Sequence, residues 1–104
     1  IVKAVREAVG PDIRIRADVN GAWTPGTAKR MISRLAPFDL EYVEQPLVHD
    51  DLPGHAQHRR WSPVPIALDE SAYTTTDVLN IIRAETAEVI LLDPHEAGGL
   101  WQAP

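Results

Sequence analysis

Residues 13–20 read IRIRADVN, and the alternation within this stretch decides between the folds open to the chain. Ile13, Ile15 and Ala17 fall on one face of a period-two strand, while Arg14, Arg16 and Asp18 fall on the other. A parallel strand in an open sheet covered by helices on both sides needs two apolar faces. A strand of a closed barrel can instead aim polar groups inward near the mouth. Three later apolar runs also end on an acid: LEYVE on Glu44, PIALD on Asp69 and EVILLD on Asp93. The four acids are separated by 26, 25 and 24 residues, close to the length of one strand–helix repeat.

Helical signals fill the intervals. Val2, Val5 and Val9 share a helical face, and Gly10-Pro11 supplies a stop. After the first strand, Asn20-Gly21 marks a turn, Thr24 an N-cap and Pro25 a first helical residue; Ala28, Met31, Ile32 and Leu35 form an apolar face that ends before Pro37. A weaker helix is expected from about Asp51 to Arg60, and another from Thr75 to Arg83 with Val78, Ile81 and Ile82 inward. Gly98-Gly99 leads into a further helix. Strands alternating with helices across short loops imply parallel strands joined by right-handed crossovers. With the parity of residues 13–18, this predicts an α/β fold: a partial (β/α)8 TIM barrel of about four consecutive βα units, filling residues 1–104 as one domain.

Barrel active sites lie at the C-terminal ends of the strands, where all four acids are placed. Neighbouring strands run about 4.8 Å apart, so acids at matching heights on successive strands can converge on one ion. Without a cation, three converging carboxylates repel and raise one another's pKa values. The set Asp18, Glu44 and Asp69 offers oxygen alone, which suits Mg²⁺ or Mn²⁺ rather than Zn²⁺. His55 and His58 are three residues apart on the expected third helix without a nearby third ligand, and read as a solvated face. Trp23 and Trp61 read as packing residues, Arg14 and Arg16 as neutralising partners for an acidic interior, and Glu70, opposite in parity to Asp69, as structural.

ADVNGAW, EYVEQP and ALDES, followed by a fourth strand and Gly98-Gly99, together resemble the barrel domain of the enolase superfamily in its mandelate racemase and muconate lactonizing branch. The resemblance runs along essentially the whole chain and in the family's order. It implies that Asp18, Glu44 and Asp69 are Mg²⁺ ligands, that Asn20 and Gln45 lie behind them or on the substrate side, and that the substrate is a small carboxylate losing its α-proton to a Lys or His base. Asp93 stands where the muconate lactonizing and succinylbenzoate synthase types have a lysine. It resembles instead the aspartate that orients a histidine in the mandelate racemase type. His95, just past that strand, is a possible substrate contact, and Lys3 and Lys29 fall on helices, so the general base is expected outside residues 1–104.

The expected function is therefore the metal-binding half of an acid dehydratase, racemase or epimerase. The alternatives are a truncated, non-catalytic barrel piece, a muconate cycloisomerase-type enzyme, and a flavodoxin-like binding domain, the last without a phosphate-cradling glycine loop to support it. A net charge of −5 with ten scattered basic residues argues against nucleic acid. No apolar run has the roughly 20 residues of a membrane span, and there are no cysteines, so a cytoplasmic location is expected. Homo-oligomerisation of a full-length enzyme is compatible with these features.

Overall fold

The computed structural model describes residues 1–92. Asp93, His95 and Gly98-Gly99 lie outside the described residues. Four parallel strands form one sheet in the order of the chain: β1 (Arg16–Asp18), β2 (Tyr42–Glu44), β3 (Ile66–Leu68) and β4 (Val89–Ile90). Each connection contains a helix, α2 (Pro25–Leu35), α3 (Leu52–Trp61) or α4 (Thr75–Ala84), and α1 (Val2–Val9) precedes the first strand. This is the expected run of consecutive βα units.

Local signals set the helix starts. The Thr24 side chain accepts from the Thr27 N–H with Pro25 next to it, and Asp51 accepts from the Gly54 N–H ahead of Pro53. Thr74 and Asp77 form a reciprocal capping box at the start of α4. Pro37 lies in a short 3₁₀ turn, Ala36–Phe38, that ends the α2 region. The apolar core lies between the sheet and its helices, built from Ile32 of α2, Val43, Ile66 and Leu68 of the strands, and Val78 and Ile81 of α4. Ile15, Ala17 and Val19 pack against it from the β1 segment, whereas Arg16 and Asp18 are exposed on the other face, so the parity holds from Ile15 to Asp18, while Ile13, ahead of the strand, is 54 % exposed.

Two expected apolar faces are only partly used. Ile82 is 59 % exposed, because α4 turns Val78 and Ile81 inward and leaves Ile82 on its outer side. No residue of α1 is fully buried. That helix is secured by a polar anchor: the Arg6 guanidinium donates to the carbonyls of Gly10, Ile13, Phe38 and Asp39 at 2.9, 2.6, 3.0 and 3.0 Å.

His55 and His58 are not on a solvated face; both are buried. The His55 ring accepts at Nε2 from the Leu47 N–H at 3.1 Å, which leaves Nδ1 to donate to the Asp51 carbonyl at 2.8 Å. His58 lies with Nδ1 2.8 Å from the Gly54 carbonyl and Nε2 3.0 Å from the Pro25 carbonyl, tying α3 to the first turn of α2. A helix rich in polar residues had given no sign of this burial, since the rings substitute for apolar packing by satisfying backbone groups. No helix among the described residues is long and apolar enough to cross a membrane.

Candidate metal centre

Asp18 and Glu44 close adjacent strands and are direct partners in the parallel register, so the fold sets two carboxylates side by side. The pairing continues past the strand ends through the backbone. Val19, Gly21 and Trp23 N–H groups donate to the carbonyls of Glu44, Gln45 and Pro46 at 3.0, 2.7 and 3.1 Å. Asn20 and Gly21 both have positive φ, at 56° and 75°, and this turn lays the β1–α2 loop along β2. A Cβ at Gly21 would stand 3.2 Å from the Leu47 carbonyl, so the position demands glycine for both space and backbone conformation.

The third strand reaches the site differently. Glu44 is level with Ala67, which places Asp69 two residues further along, about 6.6 Å past that level. Such stagger is the normal consequence of strand shear, and the expectation of matching heights ignored it. β3 ends at Leu68, so Asp69 and Glu70 belong to a turn, closed by the Ala72 N–H donating to the Asp69 carbonyl at 2.9 Å. Strand alternation no longer governs a side chain in a turn. Glu70 thereby joins Asp18 and Glu44: oxygens of these three carboxylates lie within 4.8 Å of one another, the set of that compactness among the described residues. Asp69 lies close enough to help raise the Glu44 pKa.

The charges are incompletely matched. Burial, then the Asp18 charge and a hydrogen bond with Asp18, and then Asp69 and Glu70 push the Glu44 carboxyl up to about 7. Glu70 Oε2 is buried without a hydrogen-bond partner among the described residues. Asn20 braces the cluster. Its backbone N–H donates to Asp18 Oδ1 at 3.0 Å, and with its amide nitrogen turned to the acids it donates to Asp18 Oδ2 at 3.1 Å and Glu70 Oε1 at 3.2 Å. Gln45 is fully buried behind the site and holds the Asp69 and Ser71 backbone.

Several other residues have different partners. Arg14 and Arg16 pair with Glu41 at 3.3 and 2.8 Å, and Arg16 also lies over the Tyr42 ring. Trp23 and Trp61 pack against the core. Lys3 and Lys29 are on α1 and α2, and among the described residues no histidine joins the carboxylate cluster. A cavity of about 460 Å³ opens beside Glu70, between the loops that follow β2 and β3.

Residues 1–103 match the family described as enolase C-terminal domain-like. The chain is 50 % identical over 103 residues to an o-succinylbenzoate synthase of Thermobifida fusca, covering 98 % of this chain and 32 % of that protein. It is 40 % identical over 102 residues to a hydrophobic dipeptide epimerase of Enterococcus faecalis, covering 98 % and 29 %. The crystal structure of a dipeptide epimerase from Enterococcus faecalis V583 complexed with Mg and the dipeptide L-Leu-L-Tyr superposes with a TM-score of 0.92 at 40 % identity, covering 97 % of this chain and 28 % of that one. The chain thus spans about a third or less of the length of these relatives. It belongs to the enolase C-terminal domain-like family, in the mandelate racemase and muconate lactonizing branch of the enolase superfamily.

Proposed function

We propose that this segment is the metal-binding side of an enzyme that removes the proton α to a small carboxylate, with racemisation or epimerisation as the first reading of the outcome. The observation that carries the proposal is the pairing of Asp18 with Glu44 in register, inside a cluster where Glu44 is pushed up to about 7 and Glu70 Oε2 is buried without a partner among the described residues. Crowded, oxygen-only acids of this kind fit a hard divalent cation, which would offset the burial and the repulsion that together hold a proton on Glu44. Asp18, Glu44 and Asp69 are the proposed Mg²⁺ ligands, with Mn²⁺ as a substitute, and Glu70 is the adjacent carboxylate. The presence of Mg in the Enterococcus faecalis epimerase complex supports the choice of ion.

When bound, Mg²⁺ supplies positive charge that stabilises the negative charge developing on the substrate carboxylate. The chain's own residues hold the site in place. Asn20 orients Asp18 and Glu70, and the β1–β2 backbone ladder keeps Asp18 beside Glu44. Proton transfer is assigned to residues beyond the described ones: Asp93 as the group that orients a base, and His95 on the substrate side. Small carboxylates are the proposed partners, with dipeptides first among them because of the epimerase relatives.

The test uses the full-length protein that carries this segment. α-Proton exchange of dipeptides and other small carboxylates in D₂O, followed by NMR, is expected with Mg²⁺ and not with EDTA. Asp18→Asn, Glu44→Gln and Asp69→Asn each abolish exchange while circular dichroism stays native. An active Glu44→Gln variant would sink the reading.

A further inference from the structure

We infer that Gln45 is the positioning residue of this site, holding the turn that carries Asp69 and Glu70 against Glu44 and acting through Ser71 on the wall of the adjoining cavity. The inference rests on the proposed metal site and adds to it the device that sets the site's geometry.

Gln45 is fully buried, with its backbone at φ 45°. A non-glycine residue keeps that left-handed conformation only where its surroundings over-determine it. Here its N–H donates to the Ala67 carbonyl at 2.7 Å, and its own carbonyl accepts from the Gly21 N–H at 2.7 Å. The side chain is consequently directed across the end of β3 rather than along β2.

There the amide uses both of its functions twice. Oε1 accepts from the Asp69 N–H at 3.1 Å and the Ser71 N–H at 3.4 Å. Nε2 donates to the Leu47 carbonyl at 3.1 Å and to Ser71 Oγ at 2.8 Å. The two backbone donors and the Leu47 carbonyl allow one amide orientation. Ser71 Oγ, accepting a hydrogen bond from Gln45, donates its own O–H to the His49 carbonyl at 2.6 Å. The direction of the whole chain of bonds is thereby determined, from the β2 end through the β3 turn to the β2–α3 loop.

The turn lies past the end of β3 at Leu68, and there the Gln45 side chain accepts from the Asp69 and Ser71 N–H groups as a neighbouring strand would. The turn that carries Asp69 and Glu70 is therefore held by a side-chain amide from the end of β2. Ser71, Glu70 and His49 all border the 460 Å³ cavity, so the same bonds shape the space next to the carboxylates. An ionised glutamate at position 45 could not donate to Leu47 or Ser71, and a methionine could not donate and accepts only weakly. Outer partners that orient ligand-bearing groups commonly change metal affinity by about 10–100-fold when removed.

The experiment is a Mg²⁺ titration by isothermal calorimetry of the full-length wild type, Gln45→Met, Ser71→Ala and Ser71→Thr, each first checked for native circular dichroism. Gln45→Met is expected to weaken Mg²⁺ binding about 10–100-fold. Ser71→Ala is expected to weaken it by a smaller factor, and Ser71→Thr, which keeps the hydroxyl, to restore it. Should Gln45→Met not fold, the two Ser71 variants decide. Wild-type binding with an unchanged Kd in folded Ser71→Ala overturns the positioning role alone. Absence of Mg²⁺ binding by the wild type overturns the metal-site reading and this role together.

Discussion

Glu44 concentrates the electrostatic conflict of the molecule. Its folded-state pKa is raised from 4.5 to about 7, chiefly by burial and then by Asp18. The folded state therefore holds a proton that the unfolded state has released. The stabilisation is fully present below about pH 4.5 and is lost as pH rises to about 7. His55 works in the opposite sense: burial lowers its pKa from 6.5, so its contribution is present above pH 6.5 and is lost as pH falls below that value. In EDTA, the melting temperature of Glu44→Gln is expected to exceed that of the wild type at pH 8, and the difference to disappear near pH 4.5. Thermal unfolding across that range checks it, and a wild type that is equally or more stable at pH 8 contradicts the assignment.

At the scale of elements, caps and strand ends explain both what was legible and what was not. The α2 start could be read from Thr24-Pro25, because capping is a contact within four residues, whereas α4 is legible from its apolar positions and its capping box appears in the structure. The α4 capping box gives a direct prediction: Thr74→Ala leaves the Asp77 N–H without its side-chain acceptor and is expected to cost about 1 kcal/mol, measured by urea unfolding. Glu70 shows the opposite case. Parity assigned it away from the acids, yet parity holds only while a strand continues, and β3 ends two residues earlier. The polar α3 likewise concealed its buried histidines. Their partners, Leu47 and Pro25, lie 8 and 33 residues away.

For the molecule as a whole, the sheet's helix-covered side carries the stability and its other side carries the carboxylate cluster. Ile66 is fully buried among Ile32, Val43 and Val78, so Ile66→Ala is expected to destabilise the fold by about 2–5 kcal/mol. The Mg²⁺ Kd of a still-folded Ile66→Ala protein should stay near wild type, since none of the acids contacts the core through that residue. The site should in turn feed back on stability: saturating Mg²⁺ at 100 times its Kd is expected to add about 2.7 kcal/mol, seen as a rise in melting temperature that Asp18→Asn removes.

The sequence by itself determined the parallel succession of strand and helix and the family. These rest on hydrophobic period, local caps and short motifs, all of which act between near neighbours in the chain. Tertiary structure alone decided the two-residue stagger of Asp69 beyond Glu44's partner, the entry of Glu70 into the cluster, the four bonds of Gln45 and the burial of His55 and His58. Each of these depends on the register between strands or on where a turn leaves the sheet, and so on groups that only the folded chain brings within hydrogen-bonding distance.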